Sequence, residues 1–333
     1  MGGVEEADGV TEETFRHTPV MPDEVLRWLR PECGGVFLDA TVGGAGHAIR
    51  LLEAGSAVRV IGIDQDAEAI EAAKRRLASA DERVKLIQAN FRDVARPEFA
   101  AEMDGLTGAL MDLGVSSHQI DTQKRGFSFR PGTPLGMRMN ERARDTRSAA
   151  ELLNRADERE LGRVFRDGEE RRWRTLSREV VRRRKIRPFS TSDDLVAALA
   201  AVLGRSAQEK QKARLFQALR IAVNDELAAL SEGLEGIRGR LAPGGRLAVL
   251  SYHSLEDRLV KDAFRSWSAD CRCPPGLPEC RCRGTSLGRT LTRRPLRPSP
   301  GEVARNPRAR SARLRVWEKH ETDERTDERA SGA

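Results

Sequence analysis

The sequence lacks the features that would place this protein in a membrane or outside the cell. No apolar run approaches the roughly 18 residues that a membrane-spanning helix needs. The stretch Met1–Arg16 is acidic and polar, unlike a secretory signal peptide. The five cysteines do not have the spacing of a disulfide framework, which is typical of the reducing cytoplasm. We therefore expect a soluble cytoplasmic protein with no membrane partner.

The dinucleotide-binding fingerprint G-x-G-x-x-G is absent too, although the chain has a glycine-rich turn near its start. The apolar run Val36–Leu38 leads into Asp39, and the turn that follows contains Gly43, Gly44 and Gly46. Glycine adopts unusual φ values and lets the backbone come close to a ligand. Because an acid precedes the glycines, the turn suits S-adenosylmethionine, a nucleoside with a cationic amino-acid end, better than a dinucleotide. A tight turn without a ligand is the alternative interpretation.

A second predicted strand also ends in an acid. Val58–Asp64 is apolar at most positions, and its aspartate lies twenty-five residues after Asp39. A carboxylate at the carboxyl end of the second strand is well placed to accept hydrogen bonds from the two hydroxyls of a ribose. The first half of the chain is therefore predicted to bind a nucleoside cofactor.

Positive charge is concentrated in two segments. Residues 171–187 contain nine lysines and arginines but one acid, Glu179, and residues 281–315 contain eleven arginines but one acid, Glu302. Arginine is better suited than lysine to bidentate contacts with phosphate and to stacking on bases. Two such segments in a chain with a cofactor site favour a polyanionic substrate over the alternative of solvated basic faces.

The periodicity of the sequence predicts an α/β fold with a helical insertion. Predicted strands alternate with helices in the first part of the chain, as in a parallel sheet covered on both faces. The next part predicts only helices, with an N-cap for the last of them at Thr191–Asp193. A long amphipathic helix at Phe216–Leu241 and a fifth strand at Arg246–Tyr252 then resume the first pattern. The period-two segment Ala312–Glu318 predicts an edge strand.

Between His17 and Lys319 the chain also contains six longer motifs. They are His17-Thr-Pro-Val, Asp112-Leu-Gly-Val-Ser-Ser117, Gly126-Phe-Ser-Phe129, Phe216-Gln-Ala-Leu-Arg-Ile221 with Asn224, Ser251-Tyr-His-Ser-Leu-Glu-Asp-Arg258 and Asn306-Pro-Arg-Ala-Arg-Ser311. In these motifs the chain resembles the bacterial MraW (RsmH) family, whose members are S-adenosylmethionine-dependent methyltransferases acting on N4 of a cytosine in small-subunit ribosomal RNA.

The resemblance implies a class I, Rossmann-like S-adenosylmethionine-dependent methyltransferase sheet with an all-helical insertion domain. The methyltransferase domain is expected at residues 17–133 and 213–318, and the insertion, which is predicted to bind RNA, at 134–212. Disordered tails are expected at 1–16 and 319–333. The resemblance further implies S-adenosyl-L-methionine as the cofactor and 16S ribosomal RNA or the small ribosomal subunit as the partner, and it leaves the oligomeric state open.

The cofactor contacts implied by the resemblance also agree with elementary chemistry. The backbone at Gly46 can approach the methionine portion, Phe91 can pack on adenine, and Asp112 ends the fourth strand at the rim where parallel sheets bind ligands. Taken singly, such residues also fit ordinary core positions or helix caps. The implied contacts are Ala45, Gly46, His47, Asp64, Phe91, Asp112 and Gln119.

A cytosine amine is a poor nucleophile because its lone pair is delocalised into the ring, so the site must supply hydrogen-bond acceptors and remove a proton. Asp112 is the predicted acceptor, together with backbone carbonyls that follow it. Tyr252 and His253 are predicted to stack on the extruded base or to hydrogen-bond with it, with a structural hydrogen bond as the alternative for His253. The residues predicted to bind RNA are Arg171, Arg172, Arg182, Arg183, Arg184, Arg308 and Arg310.

The chain departs from the family pattern at two positions. The family usually has acids in the segment after the Gly-Phe-Ser-Phe loop, where this chain has Gly136 and Asn140. If those acids hold the insertion or the target base, this protein is expected to bind RNA differently or to turn over more slowly.

Four of the cysteines form a C-x-C-x6-C-x-C pattern, which supplies enough thiolates for one tetrahedral zinc ion. Structural zinc sites prefer C-x2-C spacing, so the prediction is no metal, and the alternative of a zinc site stays open. The residues of this pattern are Cys271, Cys273, Cys280 and Cys282.

Three classes of function are compatible with these patterns. The leading hypothesis is a methyltransferase acting on N4 of a cytosine in the decoding region of 16S ribosomal RNA. The first alternative is another Rossmann-type enzyme, either a dehydrogenase or a methyltransferase for another substrate. The second is a non-catalytic RNA-binding factor in ribosome assembly that retains a methyltransferase scaffold.

Overall fold

The computed structural model describes residues 18–143, 145–204, 209–271, 273 and 284–321. These residues form two compact units. The first contains residues 18–114 together with the chain from Leu227 onward, and the second contains residues 115–226. The second unit therefore begins earlier and ends later than the insertion expected at 134–212, and the expected disordered tails fall almost entirely outside the described residues.

The first unit is built on a seven-stranded sheet with the order β3-β2-β1-β4-β5-β7-β6. Neighbours among β1 to β5 pair in parallel, whereas β7 is antiparallel to both β5 and β6. This is the Rossmann-like arrangement that the alternation of strands and helices predicts. The strands are β1 (Gly35–Asp39), β2 (Val58–Asp64), β3 (Val84–Gln88), β4 (Leu106–Asp112), β5 (Leu241–Ser251), β6 (Gly288–Thr290) and β7 (Arg313–Lys319).

Helices cover both faces of the sheet. Alternate residues of β1 enter different apolar clusters, with Phe37 in one and Leu38 in the other, as expected for side chains that alternate across a strand. Because both faces of the sheet are buried, the sequences of its central strands are nearly continuous apolar runs. The helices of this unit are α1 (Pro22–Leu29), α2 (Gly46–Glu53), α3 (Ala67–Leu77), α4 (Ala100–Met103), α11 (Glu226–Arg240), α12 (Ser254–Trp267) and α13 (Pro300–Arg305).

The second unit is helical and packs around its own core. Capping boxes start three of its helices, including one formed by Thr191 and Asp194 at the N-cap region expected there. Two of its helices approach closely at Gly168, where an added Cβ would lie 2.8 Å from the Ala218 Cα. The helices are α5 (Ser117–Asp121), α6 (Ala149–Arg155), α7 (Glu158–Asp167), α8 (Trp173–Arg184), α9 (Ser192–Leu203) and α10 (Glu209–Asn224).

The single helix predicted at Phe216–Leu241 is wrong. Two helices occupy this stretch, α10 and α11, and Asp225 between them has a left-handed φ of 49°. Aspartate is one of the few non-glycine residues that adopt this conformation readily. A break of one residue hardly disturbs the spacing of apolar side chains on either side, which is why the periodicity did not reveal it.

The edge position predicted for Ala312–Glu318 is also wrong. Strand β7 occupies this segment but lies between β5 and β6, and the three-residue β6 is the edge. Arg313 and Arg315 give the segment its polar alternation. Arg315 is nevertheless buried, and its charge is satisfied there because its Nε donates to Asp257 Oδ1 at 2.7 Å. In the sequence, a buried arginine that is paired with an aspartate therefore cannot be distinguished from an exposed arginine of an edge strand.

Candidate active site

The ends of three parallel strands bring three aspartates to one edge of the sheet. Asp39 ends β1, Asp64 ends β2 and Asp112 ends β4. Strands β2 and β4 flank β1 in register on its two sides, so the three carboxyl ends lie next to one another. Ligands of open α/β sheets bind at this edge, as the sequence analysis predicted.

The glycine-rich turn leads from β1 into α2 at the same edge. The left-handed backbone expected of its glycines is present at Gly43, with φ of 48°, and also at Ala45, with φ of 63°. At Gly46, the first residue of α2, an added Cβ would lie 3.3 Å from the Pro19 ring. The guanidinium of Arg76 donates a hydrogen bond to the Gly44 carbonyl. The turn is therefore held close to the sheet by contacts from both sides.

Asp64 connects this turn to the end of β2. Its Oδ2 accepts the Gly43 N–H at 3.0 Å, and its Oδ1 accepts the Asp66 N–H at 2.9 Å. Each carboxylate oxygen has a further lone pair, so both can still accept a hydroxyl of a ligand. Burial raises the pKa of Asp64 to about 7, against the opposing effect of these backbone hydrogen bonds.

Asp39 is more deeply buried, with 1% of its surface exposed. Its Oδ1 accepts the Thr41 N–H at 3.3 Å. Burial raises its pKa to about 6, and His47 opposes this shift while Asp112 adds to it. The site thus has two carboxyls whose ionised forms would be stabilised by a cationic ligand.

The third aspartate, Asp112, is contacted by Tyr252 and Thr41. The Tyr252 hydroxyl donates to its Oδ1 at 2.6 Å, and its own backbone N–H donates to Thr41 Oγ1 at 2.7 Å. Its Oδ2 lies 3.5 Å from His47 Nε2, without the geometry of a hydrogen bond. Burial, with the negative charge of Asp112 next in importance, raises the pKa of Tyr252 well above its usual value. Tyr252 is therefore a protonated donor at neutral pH, and its hydroxyl orients the aspartate.

Glu256 fixes the position of Tyr252 and His253. Its Oε2 accepts the Tyr252 N–H at 2.9 Å and the His253 N–H at 3.3 Å. His253 is the N-cap of α12, where its Nδ1 accepts the Glu256 N–H at 3.4 Å and its Nε2 lies 3.0 Å from Glu256 Oε1. The angle at Nε2 does not suit a hydrogen bond. The ring of His253 therefore caps a helix, and a catalytic role for it stays a prediction.

Two other predicted cofactor contacts lie in different surroundings. Phe91 follows β3 and is half-buried; its ring packs so closely on α11 that a Cβ at Gly233 would lie 2.7 Å from its Cδ2. Gln119 belongs to the helical unit, where its Oε1 accepts the Ser116 N–H at 3.1 Å in the capping box of α5. Both side chains thus make contacts within the protein, and their roles in cofactor binding stay predictions.

In the helical unit, most of the arginines predicted to bind RNA have partners within the protein. Arg184 donates to the carbonyls of Leu153 and Ala156 at 2.9 and 2.6 Å, and Arg172 donates to Val202 at 3.0 Å. These bonds satisfy carbonyls at the ends of α6 and α9. Arg182 and Arg183 both bind Glu179, and the hydrogen bonds from Arg182, with those from Arg183, lower the pKa of Glu179 to about 2 despite its partial burial.

Close backbone packing explains the glycine at one of the two positions where the chain departs from the family pattern. A Cβ at Gly136 would lie 3.0 Å from the Arg125 carbonyl, and a Cβ at Gly126 would lie 2.4 Å from the Pro134 carbonyl. At the other position, Asn140 Oδ1 accepts the Arg142 N–H at 3.0 Å. In this chain, Gly136 and Asn140 therefore fit the local backbone of the segment that follows the Gly-Phe-Ser-Phe loop.

The zinc alternative concerns two residues that the structure describes, Cys271 and Cys273, and two that lie outside the described residues, Cys280 and Cys282. Within the described part of the chain, no helix is both long enough and apolar enough to cross a membrane.

Comparison with known proteins identifies the family to which the chain belongs. Residues 14–320 match the model of the MraW methylase family. The chain belongs to the MraW methylase family. Members of this family are S-adenosylmethionine-dependent methyltransferases, so the protein is a methyltransferase and S-adenosyl-L-methionine is its cofactor.

Its relatives include two proteins named ribosomal RNA small subunit methyltransferase H. The one from Geobacter sulfurreducens is 48% identical over 311 residues, which cover 92% of this chain and 99% of the relative. The one from Gemmatimonas aurantiaca is 48% identical over 304 residues, or 90% of this chain and 94% of the relative. Among solved structures, a ribosomal RNA methylase from Streptococcus thermophilus is 12% identical, covers 92% of this chain and all of its own, and has a TM-score of 0.41.

Sequence reasoning missed two residues that organise the site. Glu256 lies within a recognised motif, and its spacing from His253 is that of a capping box, so a local signal was available. Thr41 gave no such signal, because its hydroxyl binds the backbone of Asp112, which is 71 positions further along the chain.

The raised pKa values of Asp39 and Asp64 predict how stability depends on pH. Because the folded cofactor-free protein binds these protons more tightly than the unfolded chain does, its free energy of unfolding should fall as the pH rises from about 4 to about 7. Asp39→Asn removes one of the two titrations, so it should raise the melting temperature relative to wild type more at pH 8 than at pH 5. Asp270→Asn, at an exposed aspartate, is the matched control in thermal melts. An equal shift for Asp39→Asn at both pH values would contradict the prediction.

Proposed function

We propose that this protein transfers the methyl group of S-adenosyl-L-methionine to N4 of a cytosine in the decoding region of 16S ribosomal RNA. The observation that carries the proposal is Asp112. It ends β4 beside the glycine turn, and a tyrosine hydroxyl orients its carboxylate at 2.6 Å. The named relatives, which act on small-subunit ribosomal RNA, support the choice of substrate.

The residues at the sheet edge fit the cofactor. The backbone around Gly46 can approach its methionine portion, the lone pairs left on Asp64 suit the ribose hydroxyls, and Phe91 suits the adenine. The positive charges of S-adenosylmethionine, on its amino group and its sulfonium, complement the buried Asp39 and the half-buried Asp64 and Asp112. The cofactor supplies an electrophilic methyl group at the sulfonium.

Asp112 is the residue that can activate the target amine. One oxygen of its carboxylate accepts the Tyr252 hydroxyl, and the other faces His47 without forming a hydrogen bond. The second oxygen therefore keeps lone pairs for an N–H of the cytosine amine. Accepting that hydrogen bond favours the tetrahedral geometry in which the nitrogen lone pair can attack, and the same carboxylate is placed to take the proton afterwards.

The proposal is tested by methyl transfer from tritiated S-adenosylmethionine. The purified protein is incubated with small ribosomal subunits and with naked 16S ribosomal RNA, and the RNA is then digested to nucleosides. We expect tritium in N4-methylcytidine from the decoding region. Label in another nucleoside, or in a small molecule, would overturn the proposed substrate, and binding of RNA without any transfer would favour the non-catalytic alternative.

The proposed ribose contact predicts the effect of Asp64→Ala. Loss of charge-assisted hydrogen bonds should weaken cofactor binding by about 1.5–3 kcal/mol, measured by titration calorimetry. Because Asp64 also accepts the Gly43 N–H, Asp64→Asn is a second variant that keeps a carbonyl acceptor and should lose less. Glu71→Ala, on the exposed face of α3, is the control. Wild-type affinity in a folded Asp64→Ala protein would remove this residue from the cofactor site.

The proposed acceptor role predicts that Asp112→Asn slows methyl transfer by roughly 10²-fold or more, since a neutral amide is a weaker acceptor. Single-turnover rates at saturating cofactor measure this, and cofactor affinity should change less than the rate. In Tyr252→Phe the carboxylate loses the hydroxyl that orients it, so the rate of methyl transfer should also fall while cofactor affinity stays near wild type. If Asp112→Asn weakened only cofactor binding, the acceptor would have to lie elsewhere.

A further inference from the structure

The connection between β6 and β7, residues 291–312, carries an unusual set of arginines. We call it the arginine segment. Five of its arginines are exposed and have no hydrogen-bond or ion-pair partner among the described residues. The five are Arg293, Arg294, Arg297, Arg305 and Arg310.

The strands that flank the segment use their arginines differently. In β6, Arg289 binds Glu318, and in β7, Arg313 and Arg315 both bind Asp257. Among the described residues, the second basic cluster of the sequence thus contains both arginines that stabilise the sheet and arginines whose guanidinium groups are unpaired. An unpaired guanidinium keeps all of its donors for a ligand, and it suits phosphate because its planar fork forms two parallel hydrogen bonds.

The backbone of the arginine segment is held along its length. Leu296 and Leu314 exchange hydrogen bonds at 2.9 and 3.0 Å, and the hydroxyl of Thr292 accepts the Val316 N–H at 2.9 Å. Further along, Ala309 and Ala312 are buried in a core cluster of the sheet. Because the backbone is fixed, binding of a partner by the side chains requires little further ordering of the backbone.

The segment also lies close to the proposed methyl-transfer site. Glu302 in α13 accepts the Met21 N–H at 2.6 Å, and Asn306 Nδ2 donates to the Thr18 carbonyl at 3.3 Å. Pro19, which lies between Thr18 and Met21 in the chain, packs against Gly46 at the start of α2. A short stretch of chain thus connects the arginine segment directly to the glycine turn. A polyanion bound to the segment would lie next to the edge of the sheet that holds Asp112.

The basic cluster of α8 is a weaker candidate for the same role. Of its arginines, Arg178, Arg182 and Arg183 pair with glutamates, and Arg184 binds carbonyls at the end of α6. A phosphate would have to displace these partners, and exposed ion pairs of this kind already screen the charge that would attract it.

We propose that the arginine segment is the docking surface for the phosphate backbone of the RNA substrate. This inference rests on the proposed function, and it deepens that function by assigning the electrostatic part of substrate binding to residues beside the methyl-transfer site. Arg293, Arg294 and Arg297 lie close together in the loop before α13 and are exposed and unpaired within the described part of the chain, so they are the arginines of the segment to be tested.

The test compares two variants that lose the same charge. The first is Arg293→Gln, Arg294→Gln and Arg297→Gln combined. The control is Arg27→Gln, Arg59→Gln and Arg75→Gln combined, at exposed arginines of the same unit that likewise have no partner among the described residues. Binding to small ribosomal subunits and to a fluorescent fragment of 16S ribosomal RNA is measured over a series of salt concentrations, and cofactor affinity is measured by calorimetry.

We expect the first variant to bind RNA roughly tenfold or more weakly at low salt and its salt slope to fall by about two, since each lost single-strand phosphate contact removes about 0.7 from the slope. In methyl transfer, KM for the RNA should rise while kcat and cofactor affinity stay near wild type. The control should behave as wild type. An unchanged salt slope in the first variant, or an equal loss in the control, would overturn the docking surface.

These outcomes are distinct from failure of the proposed function. If wild-type protein transfers methyl groups to the RNA but the first variant does so with unchanged KM, the docking surface is wrong and the function stands. If wild-type protein neither binds nor methylates RNA, both are wrong.

Discussion

The meeting of three aspartates at one edge of a parallel sheet, with Asp39 fully buried there, is the constraint on which the candidate site depends. Aspartates at the ends of β1, β2 and β4 are brought together by strand register alone, and their mutual repulsion and desolvation are costly. The surrounding structure offsets part of that cost. The N–H groups of Gly43 and Asp66 donate to Asp64, and the Tyr252 hydroxyl donates to Asp112. The sulfonium and amino group of S-adenosylmethionine are positively charged and would offset more of it, so the same constraint that destabilises the free protein favours this cofactor.

This edge is also connected to the rest of its unit by a short series of contacts. Glu256, at the start of α12, holds the backbone of Tyr252, and Tyr252 in turn orients Asp112. Glu256 is nearly fully buried, so its carboxylate cannot move far without losing these hydrogen bonds. The carboxylate of Asp112 is thereby positioned by a helix terminus, which is more rigid than a loop.

The distribution of arginine shows how a basic composition is used in this fold. Some arginines bind helix carbonyls, as Arg184 does, and others form ion pairs within the sheet, as Arg315 does. Neither group is distinguishable in sequence from the unpaired arginines of residues 291–312. The basic composition therefore favours a polyanionic partner, but only the contacts of each guanidinium show which surface has unpaired positive charge.

By itself, the sequence determined the class of the fold and the positions of Asp39, Asp64 and Asp112, because strand periodicity and the glycine turn are local patterns. The helices of residues 149–203 followed from the same kind of signal. Only the tertiary structure decided the break at Asp225, the interior position of β7, and the contact of Thr41 with Asp112. Each of these depends on partners far along the chain or on a single backbone torsion. The spacing of residues along the chain does not reveal such partners, because they contribute to the free energy of folding only when distant segments pack together.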